Sequence, residues 1–338
     1  MLKFGVLDQS PIRAGGTAAQ AIDETVRLAQ ETEALGFSRY WLAEHHGTDG
    51  YAGSSPEIMI ARVAGATRSI RVGSGGVMLS HYSPLKVAEN FKLLENMYPG
   101  RIDLGIGRAP GSDGLTAAAL AYGNQIGIEY FPTKIADLTA FLTDSVPPTE
   151  AFARVRATPK TAGTPELWLL GSSDQSAAYA AHFGMAFSFA HFIAPENAAP
   201  VLAYYRDQFK PSELLAAPKA SAGVFVICAD TEEEAERLAA SRDYWRLMLG
   251  QGRHVAYVPP EEALAYPYTP QQRAQIAANR ANRVTGTPQT VRPKLEALAR
   301  DLAVDELVIL TITYDFAARV TSYRLLAEAF GLDRREAA

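Results

Sequence analysis

The feature that most constrains this chain is an alternation: short apolar runs and longer segments of helical period follow one another along its whole length without a break in composition. Eight runs read as strands, at 4–7, 39–43, 71–79, 102–106, 166–170, 185–189, 223–228 and 306–312. Several of them, such as LWLL, VFVIC and LVILTI, are apolar throughout rather than alternating. A strand covered by helices on both faces needs that pattern, and such strands belong to parallel sheets. Between the runs, Ile22, Val26 and Ala29 recur at i, i+4 and i+7, and their segment stops at Gly36, where a left-handed C-terminal residue would fit. Ser83-Pro84 opens a second helix with the stripe Val87, Phe91, Leu94 and Tyr98, and Ser55-Pro56 and Thr287-Pro288 repeat the opening device. Val291, Leu295, Leu298 and Leu302 carry a stripe into the last strand.

Eight strand and helix units predict an α/β fold: a (β/α)8 TIM barrel, with a doubly wound open sheet as the alternative. One domain is expected over residues 1–338. The interval 250–283 departs from the pattern, since HVAYVPPEEALAYPYTP is rich in Pro and Tyr and holds no buried strand. It is expected to be an insertion before the last strand and helix unit, lying over the barrel mouth as a lid.

Composition narrows the partners. Lys plus Arg number 32 against 37 Asp plus Glu, a net charge of −5, which argues against nucleic acid. With 48% hydrophobic and 20% charged residues the chain is ordinary for a globular protein. Cys228 is the only cysteine, so no intrachain disulfide can form. The first residues lack a charged segment followed by an apolar stretch, and no window approaches the roughly 18 apolar residues of a membrane span. A soluble cytoplasmic protein with no membrane partner is the expectation.

In a barrel the chemistry sits where strands end. Asp8-Gln9-Ser10, Glu44-His45-His46, Ser80-His81-Tyr82, Gly107-Arg108, Gly171-Ser172-Ser173, His191 and Thr313-Tyr314 occupy those ends, so four of six histidines cluster there. Histidine is the side chain best suited to proton transfer near neutrality. A metal site is not expected: neighbouring side chains on a strand point to opposite faces, and no HxH or HExxH spacing occurs. Gly171 to Ser176 follows a buried strand and starts a helix, so its N–H groups and hydroxyls would converge where an anion is stabilised. An ordinary N-cap would account for those serines alone, but Arg108 at the end of the preceding strand adds a forked cationic donor, and together they read as a phosphate site. Gly75-Gly76 inside an apolar strand marks either a bulge or the close approach of a flat ligand.

These residues, in this order, resemble the bacterial-luciferase-like flavin-dependent monooxygenase family. The resemblance is carried by WLAEHHGTDGYAGSSPEIMIARVAGATRSIRVGSGGVMLSHYSPLKVAENFKLLENMYPGRIDLGIGRAPG, by LWLLGSSDQSAAYAAHFGM and by VTGTPQTVRPKLEALARDLAVDELVILTITYD. It implies an FMN flavin at the barrel mouth, with His45 matching the family's catalytic histidine and Glu44 its acidic neighbour. Gly75-Gly76 matches the place of a non-proline cis peptide behind the flavin ring, and Arg108, Ser172, Ser173 and Ser176 match the phosphate-holding positions. It further implies reduced FMN supplied by a separate flavin reductase, dioxygen as co-substrate, and a small organic substrate such as an aldehyde. Gly107 stands where some luciferases have a reactive cysteine, so light emission is not implied. Relatives on the same fold use a deazaflavin coenzyme for hydride transfer or only bind flavin, and a phosphate-binding barrel lyase or isomerase is the reading outside the family. Tyr82, Tyr122, Tyr266 and Tyr268 are candidates to line an apolar pocket. The resemblance also implies a homodimer, paired through helices beside the second and third strands, where Ala61, Val63, Ala64 and Ala66 offer small side chains.

Overall fold

A computed structural model describes residues 2–109, 112–122, 127–253, 255–280 and 283–333. Pro110-Gly111 in the loop after Arg108, and His254, Ala281 and Asn282 of the expected insertion, lie outside the described residues.

Among the described residues ten strands form, in chain order β1 (Lys3–Asp8), β2 (Arg39–Leu42), β3 (Arg71–Ser74), β4 (Val77–Met78), β5 (Ile102–Gly107), β6 (Glu166–Gly171), β7 (Ala186–Phe189), β8 (Ala220–Cys228), β9 (Val284–Gly286) and β10 (Glu306–Leu310). All pairings between them are parallel. The path β1-β2-β3-β5-β6-β7-β8 closes because β10 pairs with β8 on one side and β1 on the other. The result is the expected closed eight-stranded barrel with helices around it, rather than an open sheet. Two features lie outside the eightfold reading. The run 71–79 is broken into β3 and β4 by a cis peptide between Gly75 and Gly76. β9 is a short addition to β8 outside the barrel, polar enough at Thr285 to escape notice as a strand.

Side-chain alternation sorts the apolar residues into two layers. Tyr40, Leu42, Leu167, Leu169, Val224, Val226, Leu307 and Ile309 belong to the core between barrel and helices. Trp41, Trp168, Phe225, Ile227, Val308 and Leu310, one residue out of phase, form a separate interior core. The rings of Trp41 on β2 and Trp168 on β6 meet edge-on at 5.2 Å, a contact that only the barrel interior allows. Continuous apolarity was therefore the right sign of strands buried on both faces.

The amino ends of the strands are closed by charge. Arg39 donates to Asp103 at 2.6 Å and to Glu306 at 2.8 Å, Trp41 donates its indole N–H to Asp103 at 2.9 Å, and Lys219 pairs with Glu166 at 2.6 Å. Such a network adds little net stability over an apolar plug, but removing one partner strands a buried charge. The other end of the barrel is left for chemistry.

The helices follow their sequence signals. Thr17 caps the helix Ala18–Ala34 in a reciprocal capping box with Gln20, and Gly36 sits at φ +89° just beyond its end. Helices Pro56–Ala66, Pro84–Met97 and Pro288–Leu302 each open with Pro at the first position, although Ser55 and Ser83 make no side-chain cap bond. The interval 250–283 contains two helices, Pro260–Ala265 and Pro270–Arg280. No helix among the described residues is long and apolar enough to cross a membrane.

Candidate functional site

β2 ends at Leu42, so Glu44, His45 and His46 follow it as loop rather than strand. Glu44 is 4% exposed. Its Oε2 accepts the Met78 N–H at 2.9 Å, and its Oε1 accepts the Tyr82 hydroxyl at 2.5 Å and meets His46 Nε2 at 2.8 Å. One carboxylate thereby fastens β4 and the segment after it to the end of β2. Half-burial first, and the hydrogen bond to Glu44 second, push the Tyr82 hydroxyl well above its ordinary titration range. Glu44 thus bonds His46, while its chain neighbour His45 turns elsewhere.

His45 packs its ring 4.6 Å from that of Tyr51, and its Nδ1 is buried with no hydrogen-bond partner among the described residues. Burial first, and the neighbouring His46 second, push its pKa from 6.5 down to about 4. It is therefore a neutral imidazole at physiological pH. The Tyr51 hydroxyl meets that of Tyr257 at 3.1 Å, Trp245 stacks on Tyr257 at 5.1 Å, and Arg242 donates to the Tyr257 hydroxyl at 3.3 Å.

At Gly76 the backbone leaves no room for a side chain, and at Gly75 a side chain would crowd its neighbours. A methyl on Gly75 would lie 2.5 Å from Leu7 Cδ1 and 3.1 Å from Trp41 Cβ, and one on Gly76 would lie 2.6 Å from the Gly105 carbonyl. Above Gly75 a narrow apolar crevice opens between Leu7, Trp41, Phe192, Gly223 and Val308. Its walls offer van der Waals contact rather than hydrogen bonds.

Arg108 follows β5, and Ser172 and Ser173 follow β6. Ser173 caps the helix Asp174–His182, accepting the Ser176 N–H at 3.3 Å, and the two hydroxyls lie 3.2 Å apart. Arg108 reaches the same first turn by donating to the side chain of Gln175. The four residues expected at a phosphate thus gather at one helix N-terminus, two strands along from β3 and the glycine pair. Partial positive charge at the helix end and a guanidinium fork suit a dianion.

The other expected residues are scattered. Tyr82 reaches Glu44, but Tyr122 is 92% exposed. Tyr266 and Tyr268 pack on each other at 4.9 Å, and Tyr266 also packs on Tyr244 at 5.2 Å. His191 is buried and lines a separate cavity with Arg242, Arg246 and Arg283. Sequence reasoning passed over those arginines, as it did Tyr51 and Tyr257. Arg242 and Arg246 carried a readable signal, like charges at i and i+4 on one helix face, which an isolated helix disfavours. Cys228 is an inert thiol, its pKa pushed up to about 12 by burial.

A closed parallel barrel with Glu44, His45, Arg108 and Ser173 just past the carboxyl ends of its strands has the architecture of the barrel enzymes. The family model described as luciferase-like monooxygenase matches residues 2–127 and 139–306. A Bacillus subtilis protein, YceB, is 45% identical over 98% of this chain and 100% of its own length. The N-acetyl-S-alkylcysteine monooxygenase of the same organism is 39% identical, covering 97% of this chain and 98% of the relative. Apo-MsnO8 superimposes with a TM-score of 0.90 at 37% identity, over 99% of each chain. The chain belongs to the luciferase-like monooxygenase family, which places it among oxidoreductases. More distant structures share the fold alone: an oxygenating component of 3,6-diketocamphane monooxygenase in complex with FMN, at a TM-score of 0.69 and 18% identity, and an F420-dependent secondary alcohol dehydrogenase, at 0.71 and 13%.

Proposed function

We propose that this protein is a two-component, FMN-dependent monooxygenase that takes reduced FMN from a separate flavin reductase and uses dioxygen to oxidise a small organic substrate. The observation that supports the reading is that Arg108, Ser172, Ser173 and Ser176 meet at one helix N-terminus after β5 and β6, while Gly75, Trp41, Leu7 and Leu170 of β6 line an apolar crevice. The residues present fit the cofactor: a methyl-free floor and apolar walls suit a planar ring, and the cationic helix end suits its phosphate. When bound, the flavin supplies the activation of dioxygen.

The chain's own residues bind, orient and shield. Arg108 and the Ser173-capped helix would hold the phosphate, and Gly75-Gly76 would leave room for the ring. His45 is neutral at physiological pH and offers a ring nitrogen to hold a proton as general base. Glu44 positions that region by holding Met78, Tyr82 and His46 at once. The interval 250–283 acts as a lid, and its Tyr257, packed on Tyr51 and Trp245, helps to exclude water. Ile58, Leu93 and Met97, exposed by 69%, 46% and 51% on the helices after β2 and β4, support a homodimer paired there. Of the small residues expected at that contact, Val63 and Ala64 are buried within the chain itself, and Ala61 and Ala66 are half-buried against the same core.

Supplying photochemically reduced FMN and air with a panel of aldehydes and N-acetyl-S-alkylcysteines tests the reading by mass spectrometry. The expected result is a gain of one oxygen atom in at least one substrate, with none from reduced FMN alone. Turnover only with a reduced deazaflavin and no oxygen gain would replace the reading with hydride transfer.

A further inference from the structure

Beside the crevice, on the far side of Phe192, lies a second cavity of 180 Å³ that the cofactor assignment leaves unused. Three guanidinium groups face it, from Arg242 and Arg246 on the helix Glu232–Gly250 and from Arg283. Phe225, His191 and Glu196 complete its working wall. We propose that this cavity is the anion subsite of the substrate pocket, taking the carboxylate of a substrate whose apolar remainder passes Phe192 toward the crevice. The proposal rests on the monooxygenase reading for what happens to that substrate, but the subsite itself rests on the arginines.

Two of the three guanidinium groups, those of Arg242 and Arg246, have no carboxylate partner among the described residues. Arg242 is 6% exposed, stacks 4.2 Å over the Phe225 ring, and has a neutral hydroxyl, that of Tyr257, as its hydrogen-bond acceptor. Its Nε has no hydrogen-bond partner among the described residues. Arg283 pairs with Asp243, which Arg280 also engages, and its Nη2 is buried without an acceptor. Arg246 makes no hydrogen bond or ion pair among the described residues; burial and the charge of Arg242 pull its pKa below the ordinary range. A buried charge is costly unless paired, and forked guanidinium donors match a carboxylate. Glu196 is the one carboxylate in the wall, and His191, held below its ordinary pKa by burial despite Glu196, adds no charge at neutral pH. With Arg283 paired to Asp243, Arg242 and Arg246 remain as two cations without an ion pair beside the single carboxylate Glu196, which leaves room for one more anion.

The geometry also tells this subsite from the phosphate site. Arg108 and the helix Asp174–His182 belong to the ends of β5 and β6, whereas the arginine cavity is built on the segment after β7, on β8, on the helix after it and on the insertion. Its shared wall, Phe192, links it to the crevice and not to Arg108. The chain of contacts Arg242, Tyr257, Tyr51 and His45 ties the same arginine to the histidine that would face the reacting end of the substrate.

The test is calorimetric titration of the full-length protein with matched pairs of small N-acetylated amino acids, free acid against primary amide, with thioether and aromatic side chains. The acid should bind about tenfold or more tightly than its amide in at least one pair, and the preference should shrink as salt rises. Arg246→Gln should bring acid and amide within about twofold, while Arg246→Lys keeps part of the preference. Because the readout is a ratio, a general packing defect, which weakens both members alike, does not mimic the result. Equal binding of acid and amide, a preference that survives Arg246→Gln, or no binding of any acid up to about 10 mM would overturn the subsite. Acid preference without oxygen transfer would leave the subsite standing and remove the monooxygenase reading; oxygen transfer to neutral substrates at rates indifferent to Arg246→Gln would do the reverse.

Discussion

The rings of His45 and Tyr51 lie 4.6 Å apart, centroid to centroid, in a pocket that leaves the histidine Nδ1 without a hydrogen-bond partner among the described residues. That packing makes the imidazole neutral in the folded protein down to a pH of about 4. It also makes it a liability in acid. The unfolded chain takes up the proton near its ordinary pKa of 6.5, while the folded chain waits until about 4. Stability contributed by this group is therefore full above pH 6.5, falls as pH drops toward 4, and levels below that. The window is worth on the order of 3 kcal/mol. Urea unfolding from pH 7 to pH 4 should show His45→Gln losing less stability than wild type by about that amount; parallel curves would contradict the burial of a neutral His45.

The same neutrality bears on rate. His45→Gln should lower kcat by roughly 10²–10⁴-fold while FMN affinity stays within about twofold. The wild-type rate should show no inflection from His45 near pH 6.5. Stopped-flow turnover with reduced FMN, alongside flavin fluorescence titration, separates the two quantities, and a loss confined to FMN binding would remove His45 from the chemistry.

Glu44 and Tyr82 meet at 2.5 Å, a hydrogen bond from a hydroxyl to a carboxylate. Bonds to charged groups are worth about 1.5–3 kcal/mol. A double-mutant cycle with Tyr82→Phe and Glu44→Gln, read by urea unfolding, should give a coupling of about 1–2 kcal/mol. A coupling near zero would mean that Glu44 holds the β4 segment through Met78 and His46 alone.

Gly75→Ala places a methyl 2.5 Å from Leu7 Cδ1 and 3.1 Å from Trp41 Cβ. Leu7 can give way at its tip, but Trp41 Cβ is fixed by its strand. Overpacking of this kind costs about 1–3 kcal/mol, and the methyl also fills the floor of the crevice. Thermal unfolding should register the first effect and flavin titration the second; full FMN affinity in this variant would move the ring away from Gly75.

Much of this was readable from the chain, and the exceptions have physical reasons. The eight barrel strands were legible because burial on both faces writes continuous apolar runs such as LVILTI. Gly75-Gly76 was legible as an interruption, since a residue pair without side chains has no packing reason to stand in an apolar strand. Arg108 and Ser173 could be paired because each follows a strand and the order of strands in a barrel is the order in the chain. The arginine cavity was not legible, because Arg283 meets Arg242 and Arg246 only through the fold of the insertion, about 40 residues away in sequence. Tyr257 escaped for the same reason: a Pro- and Tyr-rich segment predicts an irregular loop but not which ring turns inward. Tyr122 shows the converse, an aromatic residue that composition makes a pocket candidate and the fold leaves in solvent.

On the proposed reading the barrel mouth holds FMN by its phosphate, at Arg108 and the helix capped by Ser173. Riboflavin lacks that phosphate and is otherwise the same ligand, so the comparison isolates the contact. Fluorescence titration of wild type and Arg108→Ala with both ligands is the most direct measurement. A lost charge-assisted pair of about 1.5–3 kcal/mol predicts FMN weakened by roughly 10- to 150-fold in the variant, with riboflavin affinity unchanged within about twofold. Equal weakening of both ligands, or no weakening of FMN, would contradict the assignment.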